Sequence, residues 1–513
     1  MIILRKKYLI IASMAYIYIP IVLFLFGWTK IYIAILCCMV FGYSLKVLFN
    51  DFMNKSSDKN IQINGRVLVF VILFFLIIGY YAGWGNFVTQ TDDWYKHNAV
   101  LSDLVERPWP VYYVNGEEHS MLTYYIAQYL VPALGGKIFR SFRAAEIVNF
   151  IWAEIGLVLV YLNLIRILKI KNGYMQILSS GILIFFSGPL LLAQKLLEII
   201  YPQLESMASV YHWLSQDEIL LQYSSNYVML RWVFPQALVI WLITLLFVEH
   251  KEFIQDYITL MLPGIIFGTL SFLGLIPIAL GIAIEELVRT KYFKQWLKKV
   301  FSISNLLSLL SLGGVLGLYL YGNIISEKPD DISFRLINYD GYFAKYFIFC
   351  IIMVLAYAEC ILIRNLKNVL YYLVIAILVI LPLFTMGKSN DLVMRCSIPA
   401  LFLLMFFIVS FLHEYAKEEW QRIQNGNGAK YSISIFVLVI LLFIGSIHPM
   451  QELFDSIITD NFMTLGEEKN FGTMEVFANR SLDAGEDVKF NYYSYDIDTN
   501  LFYNYVARKK DAR

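Results

Sequence analysis

The chain has 513 residues, 59% of them hydrophobic, 16% aromatic and only 16% charged, with a formal net charge of +1 and a mean hydropathy of +0.61. That composition lies far from the soluble globular range, so a soluble enzyme, a disordered chain and a fibre are excluded, and the near-zero charge gives no bulk attraction to nucleic acid. Runs such as 67–78 and 433–444 are apolar at nearly every position, whereas a transmembrane barrel needs short alternating segments, so the chain reads as an all-α polytopic membrane protein.

A spanning helix needs roughly 20 mostly apolar residues. In chain order the expected spans are 8–27, 31–49, 67–84, 144–165, 175–193, 228–248, 257–273, 275–288, 301–321, 343–363, 369–386, 397–412 and 431–447, about thirteen in all. The 275–288 segment is short and contains Pro277. Arg5, Lys6 and Lys7 precede an apolar run without a small-residue cleavage pattern, which predicts an anchor and not a removed signal peptide. With alternating spans, one side receives Lys55, Lys59 and Arg66, then Arg166, Lys169 and Lys171. It also receives Arg289, Lys291, Lys294, Lys298, Lys299, Arg364 and Lys367. Short-loop Lys and Arg stay in the cytoplasm, so the amino terminus is expected inside and the carboxyl terminus outside.

The outer face then carries loops 85–143, 194–227, 322–342 and 387–396, and a polar tail. This divides the chain into an N-terminal hairpin with its cytoplasmic loop (1–66), a transmembrane core (67–447) and the extracytoplasmic tail (448–513). Within the tail, 487–496 (DVKFNYYSYD) alternates enough to predict a strand. Trp28, Trp84 and Trp232, near span ends, read as interface anchors. The five cysteines, Cys37, Cys38, Cys350, Cys360 and Cys396, form no spaced pair, so no disulfide or zinc framework is expected and they read as packing residues.

Most polar residues with chemical potential lie outside. The first loop holds Asp92, Asp93, Lys96 and His97 within a few residues. A solvated charged loop is the plain reading, but the following RPWPVYY, 107–113, points to a fixed shape. Adjacent aspartates on an extended chain point to opposite sides, so one would serve as a base and the other would bind or orient. Arg231 and Gln236 sit near the outer end of their span. Lys195 and Glu198, three apart, are expected to pair on a helix. Glu154 is a costly carboxylate near the middle of a span. In the 387–396 loop, Asp391 and Arg395 are four apart and share a face if a helix starts there, with Asn390 just ahead. A capped helix with a local salt bridge competes with a functional reading, in which Arg395 and Arg231 meet a lipid phosphate through their planar forks. There is no Walker A or GxGxxG sequence. Gly264/Gly268 and Gly313/Gly317 have the spacing of close helix packing.

With Thr91-Asp92-Asp93-Trp94-Tyr95 in its first large outside loop, the chain resembles the GT-C superfamily of polytopic glycosyltransferases. Those proteins use lipid-linked sugar donors at the outer membrane face and carry an acidic pair in that loop. The second outside loop, with an expected surface helix over 199–221, is similar as well, and the architectural similarity covers 67–447. Residues 225–236 and 389–401 resemble segments of bacterial membrane proteins of surface polysaccharide assembly. The chain departs from the family pattern in the extra spans ahead of the acidic loop, which leaves sidedness intact but shifts the alignment of later helices.

The resemblance implies transfer of a sugar from a polyprenyl phosphate or diphosphate to a glycan or lipid acceptor, in a bacterial cytoplasmic membrane, for cell-envelope polysaccharide biosynthesis. Asp92 is the first choice for general base, and Asp93 would position a donor, an acceptor or a divalent cation. Lys96, Arg231 and Arg395 would stabilise the departing phosphate, with His97, Gln236, Asn390 and Asp391 completing the substrate site. Direct displacement would invert the anomeric centre. Two carboxylates do not define a metal site, so metal dependence stays open. Two rivals remain: a polysaccharide polymerase or ligase, which shares the substrate class but relies on outer arginines, and a transporter or flippase for lipid-linked sugars or another anionic substrate. Transport predicts polar groups at several depths; here they gather mostly on one face, which favours an enzyme.

Overall fold

The computed structural model describes residues 2–54, 60–115, 118–200, 214–216, 219–324, 334–337, 342–386, 390–425, 433–459, 473–474, 492–494 and 500–508. Two apolar helices open the chain, α1 (Lys6–Trp28) and α2 (Ile31–Asn54). Strands β1 (Ile2–Leu4) and β2 (Ile61–Ile63) flank them and pair antiparallel. Helix α3 (Gly65–Tyr81) leads into a loop folded as α4 (Asp93–Glu106), the hairpin β3 (Tyr112–Asn115) and β4 (Glu118–Leu122), and α5 (Ala127–Phe139). Helix α6 (Phe142–Ile167) crosses back, and α7 (Gly173–Phe185) and α8 (Leu190–Ile199) form a pair bent by 49°. A second hairpin, β5 (Leu214–Gln216) and β6 (Ile219–Leu221), precedes α9 (Asn226–Trp232) and α10 (Phe234–His250). Then come α11 (Ile254–Ile266), α12 (Thr269–Thr290), α13 (Phe293–Gly322), β7 (Arg335–Leu336), α14 (Phe343–Asn365) and α15 (Val369–Leu383). Strand β8 (Phe384–Thr385), α16 (Asp391–Cys396), α17 (Ile398–Arg422), α18 (Ile433–Ile458) and β9 (Tyr493–Ser494) complete the order.

Among the described residues eight helices are long and apolar enough to cross a membrane, nine if the bent pair counts as one, and α3, α10, α11 and α15 are shorter apolar helices. The chain is a multi-pass, all-α membrane protein. Helix α10 is its axis: residues 234–247 are all buried, as expected of a helix that is apolar all round. Apolar side chains on α18, such as Ile433, Phe436 and Phe443, stay exposed, which suits a lipid-facing surface.

Several expected boundaries shift. The span expected at 228–248 is broken at Val233, because Pro235 has no N–H and enters the first turn of α10. The segment expected at 275–288 is part of a 22-residue helix starting at Thr269, with Pro277 accommodated inside it. Helix α18 runs past 447 into the tail. Of the surface helix expected over 199–221, residues 199–200 end the helix that begins at Leu190 and 214–216 and 219–221 form a β-hairpin; 201–213 and 217–218 lie outside the described residues. Of the strand expected at 487–496, Tyr493 and Ser494 are extended and pair with β4, and 487–491 and 495–496 lie outside the described residues. All five cysteines are free, and only Cys38 is not fully buried.

Backbone groups freed by breaks cannot turn to water in lipid and need protein partners. Between α7 and α8, the carbonyl of Leu183 accepts from Asn226 Nδ2 at 2.8 Å and that of Phe186 from Asn226 N at 3.0 Å. Tyr357 Oη donates to Ser187 O at 2.9 Å. The two ends of the bundle differ in character. At one end Lys6 and Arg166 converge on Glu249. At the other, the backbones of Trp28 and Lys30 bond to Arg508 and Val506 of the tail.

Candidate functional site

The break between α9 and α10 fixes the site's floor. Helix α9 ends with three consecutive carbonyls that the chain beyond Val233 does not take up, and the stretch from α3 into α4 supplies a donor for each. Trp84 Nε1 donates to Leu230 O at 2.9 Å, Trp94 Nε1 to Arg231 O at 2.9 Å, and His97 Nε2 to Trp232 O at 3.0 Å. The rings of Trp94 and Phe234 stack at 5.2 Å. Trp84 is fully buried and anchors a loop to a broken helix where an interface anchor was expected; Trp28, also expected at an interface, is fully buried against Phe24 and Trp109.

A carbonyl only accepts, so His97 carries its proton on Nε2, and Nδ1 accepts from the Tyr129 hydroxyl. Burial, with Lys96 beside it, pushes the His97 imidazole down to about 4, so it is neutral. Both ring nitrogens are engaged inside the protein, which makes His97 a brace for α4.

That brace holds the first turn of α4 rigidly. Asp93 lies in this turn, favourable for a carboxylate at the positive end of the helix dipole. Lys96, one turn on, contacts Asp93 Oδ1 at 2.8 Å; their side chains are 10% and 31% exposed. Partial burial alone would push the Asp93 carboxyl up, but Lys96, with Arg395 behind it, holds it below the usual carboxylate range. Lys96 is buried, yet Asp93 more than compensates and keeps it charged. Asp92 occupies the cap position without a side-chain capping bond, and it is exposed. The two adjacent carboxylates thus differ in exposure: Asp93 is half-buried against Lys96 and Asp92 is exposed.

Arg395 arrives from the far end of the sequence. Asn390, buried and in the left-handed region at φ 49°, turns the chain into α16. Asp391 and Arg395 do share one face and pair at 3.2 Å. The helix is pressed onto α12: a Cβ at Gly274 would lie 2.1 Å from the Cys396 carbonyl oxygen, so only glycine admits this approach, and Cys396 Sγ contacts Leu270 O at 3.0 Å. Arg395 is 16% exposed, and Asp391, with Tyr125 and Tyr124 nearby, outweighs its burial and keeps it charged. Its Nε has no hydrogen-bond partner among the described residues.

The roof comes from the loop after β4 and from the tail. Thr123 N donates to Tyr492 O at 2.8 Å, which seats the Tyr492 ring 4.8 Å from Tyr124, itself 3.6 Å from Tyr125. Tyr319 Oη accepts from Tyr124 N at 3.0 Å and fixes its backbone. At the other end of α4, Asp103 is fully buried and accepts from Tyr113 Oη at 2.6 Å, Arg107 Nε at 3.0 Å and the tail's Met474 N at 3.0 Å. The tail is thereby tied to the helix that carries Asp93.

Other expected site residues lie apart from this cluster. Arg231 Nη1 contacts Glu452 Oε1 at 2.9 Å and its carbonyl at 3.0 Å, and Trp232 Nε1 reaches the same carboxylate oxygen at 3.0 Å. Glu452, on the extension of α18, gave no sequence signal. Gln236 is buried against Gly268 and accepts from Ser271 Oγ at 3.4 Å. Lys195 and Glu198 pair at 2.6 Å as their spacing predicts. Both carboxylate oxygens of Glu154 are buried without a partner among the described residues, beside Gly79 and Trp84.

Among the described residues no group of three or more His, Cys, Asp or Glu side chains is arranged to hold a metal ion. The fold and the cluster define a polytopic membrane protein with a charged, tyrosine-roofed site at one end of its bundle. The chain matches no family model, no curated protein and no solved structure.

Proposed function

We propose that the protein is a glycosyltransferase that moves a sugar from a polyprenyl-phosphate-linked donor to a glycan or lipid acceptor at the outer face of a bacterial cytoplasmic membrane. On this reading about thirteen apolar segments cross or enter the membrane, with the amino terminus in the cytoplasm. The observation that carries the reading is the approach of Lys96, held by Asp93, to Arg395 of α16: a buried and a largely buried cation from distant parts of the sequence, with an exposed carboxylate, Asp92, next to Asp93. The resemblance of TDDWY to the GT-C acidic pair supplies the reaction class.

Asp92 accepts the proton of the acceptor hydroxyl as its oxygen attacks the anomeric carbon. The bond from that carbon to the phosphate oxygen breaks, and the electron pair leaves with the phosphate. Negative charge grows there as the bond breaks, so Lys96 and Arg395 stabilise the transition state more than the ground state. Asp93, paired and held ionised, keeps Lys96 aligned. An exposed carboxylate is open to an acceptor hydroxyl, whereas the Asp93 carboxylate is held against Lys96. The engagement of Arg231 by Glu452 weighs against a polymerase built on several outer arginines.

The test is transfer of radiolabelled sugar from polyprenyl-phosphate donors in membranes carrying wild type, Asp92→Asn, Asp93→Asn or Arg395→Ala at matched expression. Wild-type transfer that is lost in Asp92→Asn supports the reading. Full activity in both aspartate variants would overturn it in favour of an arginine-based polymerase.

A further inference from the structure

Three buried groups near the paired charges have no partner among the described residues: Arg395 Nε, Tyr125 Oη and, two residues before Asp93, Thr91 Oγ1. An unsatisfied buried polar group costs about 1–3 kcal/mol, and several at one site point to a ligand that takes them. Above them stand Tyr124, Tyr125 and Tyr492, each 7–8% exposed, where Tyr129 behind them is at 1%. These rings keep a slight exposure that Tyr129 lacks. Lys96 lies within electrostatic range of Tyr125 and Tyr492, and Arg395 within range of Tyr124 and Tyr125, which places the tyrosines in the neighbourhood of the two cations.

Cations and aromatic faces serve different parts of a ligand. Lys96 and Arg395 answer a phosphate. An uncharged aromatic wall with one spare hydroxyl answers a neutral group with apolar C–H faces and hydroxyl edges, which is the chemistry of a sugar ring. Resting on the glycosyltransferase reading, we propose that the C-terminal segment completes the substrate site: Tyr492, with Tyr124 and Tyr125, forms the wall on which the donor's sugar ring packs, and Tyr125 Oη hydrogen-bonds that ring. The wall depends on the tail's return to the first loop, through Tyr492 O on Thr123 N and through the pairing of β9 with β4.

The experiment measures binding of two lipids to the full-length protein in nanodiscs, polyprenyl phosphate and polyprenyl phosphate carrying one hexose. Wild type is compared with Tyr492→Leu, Tyr125→Phe and a tail control, Tyr503→Ala, whose ring packs 5.3 Å from Tyr112. Thermal unfolding of each variant is recorded alongside. The expected result is tighter binding of the sugar-bearing lipid by wild type, lost by about tenfold in Tyr492→Leu and by a smaller factor in Tyr125→Phe. Affinity for bare polyprenyl phosphate and the control's affinities should be unchanged. Equal loss for both lipids, or no loss in well-folded variants, overturns the sugar wall while leaving the phosphate site intact. If wild type binds neither lipid, the glycosyltransferase reading falls, and the wall with it.

Discussion

His97 and Trp232 are joined by a hydrogen bond of 3.0 Å between the imidazole Nε2 and a main-chain carbonyl that a helix break exposes. The bond ties α4 to the central helix pair, and it requires the neutral ring. Stability should therefore depend on pH. The folded imidazole titrates at about 4, below the unfolded value of about 6.5. The unfolded chain binds more protons between these values, so stability rises with pH through that window. His97 contributes fully above about pH 6.5, and about 3 kcal/mol is lost as pH falls towards 4. Thermal unfolding of the detergent-solubilised protein from pH 7 to 4 should show this decline. His97→Gln, which can still donate to Trp232 and accept from Tyr129, should flatten it; an unchanged slope in that variant would assign the decline elsewhere.

Arg231 and Glu452 form a pair whose side chains are 11% and 4% exposed. Removing one partner leaves the other charge buried, at a cost of about 3–5 kcal/mol. Glu452→Leu and Arg231→Met should each lower the unfolding temperature clearly, and the double variant should regain most of the loss. Additive losses in the double-mutant cycle would mean that the two residues do not act as a pair.

Gly274 sets the position of Arg395 without touching it. In Gly274→Ala the new methyl meets the Cys396 carbonyl oxygen at 2.1 Å, so α16 must shift. The expected cost is about 1–3 kcal/mol, with sugar transfer reduced by more than the stability loss explains. Retained transfer in a destabilised protein would show that α16 tolerates displacement.

The sequence made the membrane class readable because apolar runs of this length have no other solvent. Local pairs were equally legible: Asp391 with Arg395 and Lys195 with Glu198 follow from helical spacing alone. Breaks were less so, since Pro235 and the Gly188-Pro189 step lie inside runs whose hydropathy is continuous. Long-range partners left no local trace. Nothing near Arg231 points to Glu452, 221 residues away, nor does anything near Tyr124 point to Tyr492 in the tail. The tryptophans read as interface anchors because span ends favour them, but Trp84 instead caps a carbonyl that only the fold exposes.

The central claim is that Asp92 removes the acceptor proton at a site whose phosphate is held by Lys96 and Arg395. It is tested most directly by single-turnover transfer from a polyprenyl-phosphate hexose with purified protein in liposomes, comparing wild type with Asp92→Asn of equal thermal stability. The account predicts label transfer by wild type and a fall of at least about a hundredfold in the variant, with donor binding retained. Equal rates in the two proteins would contradict it.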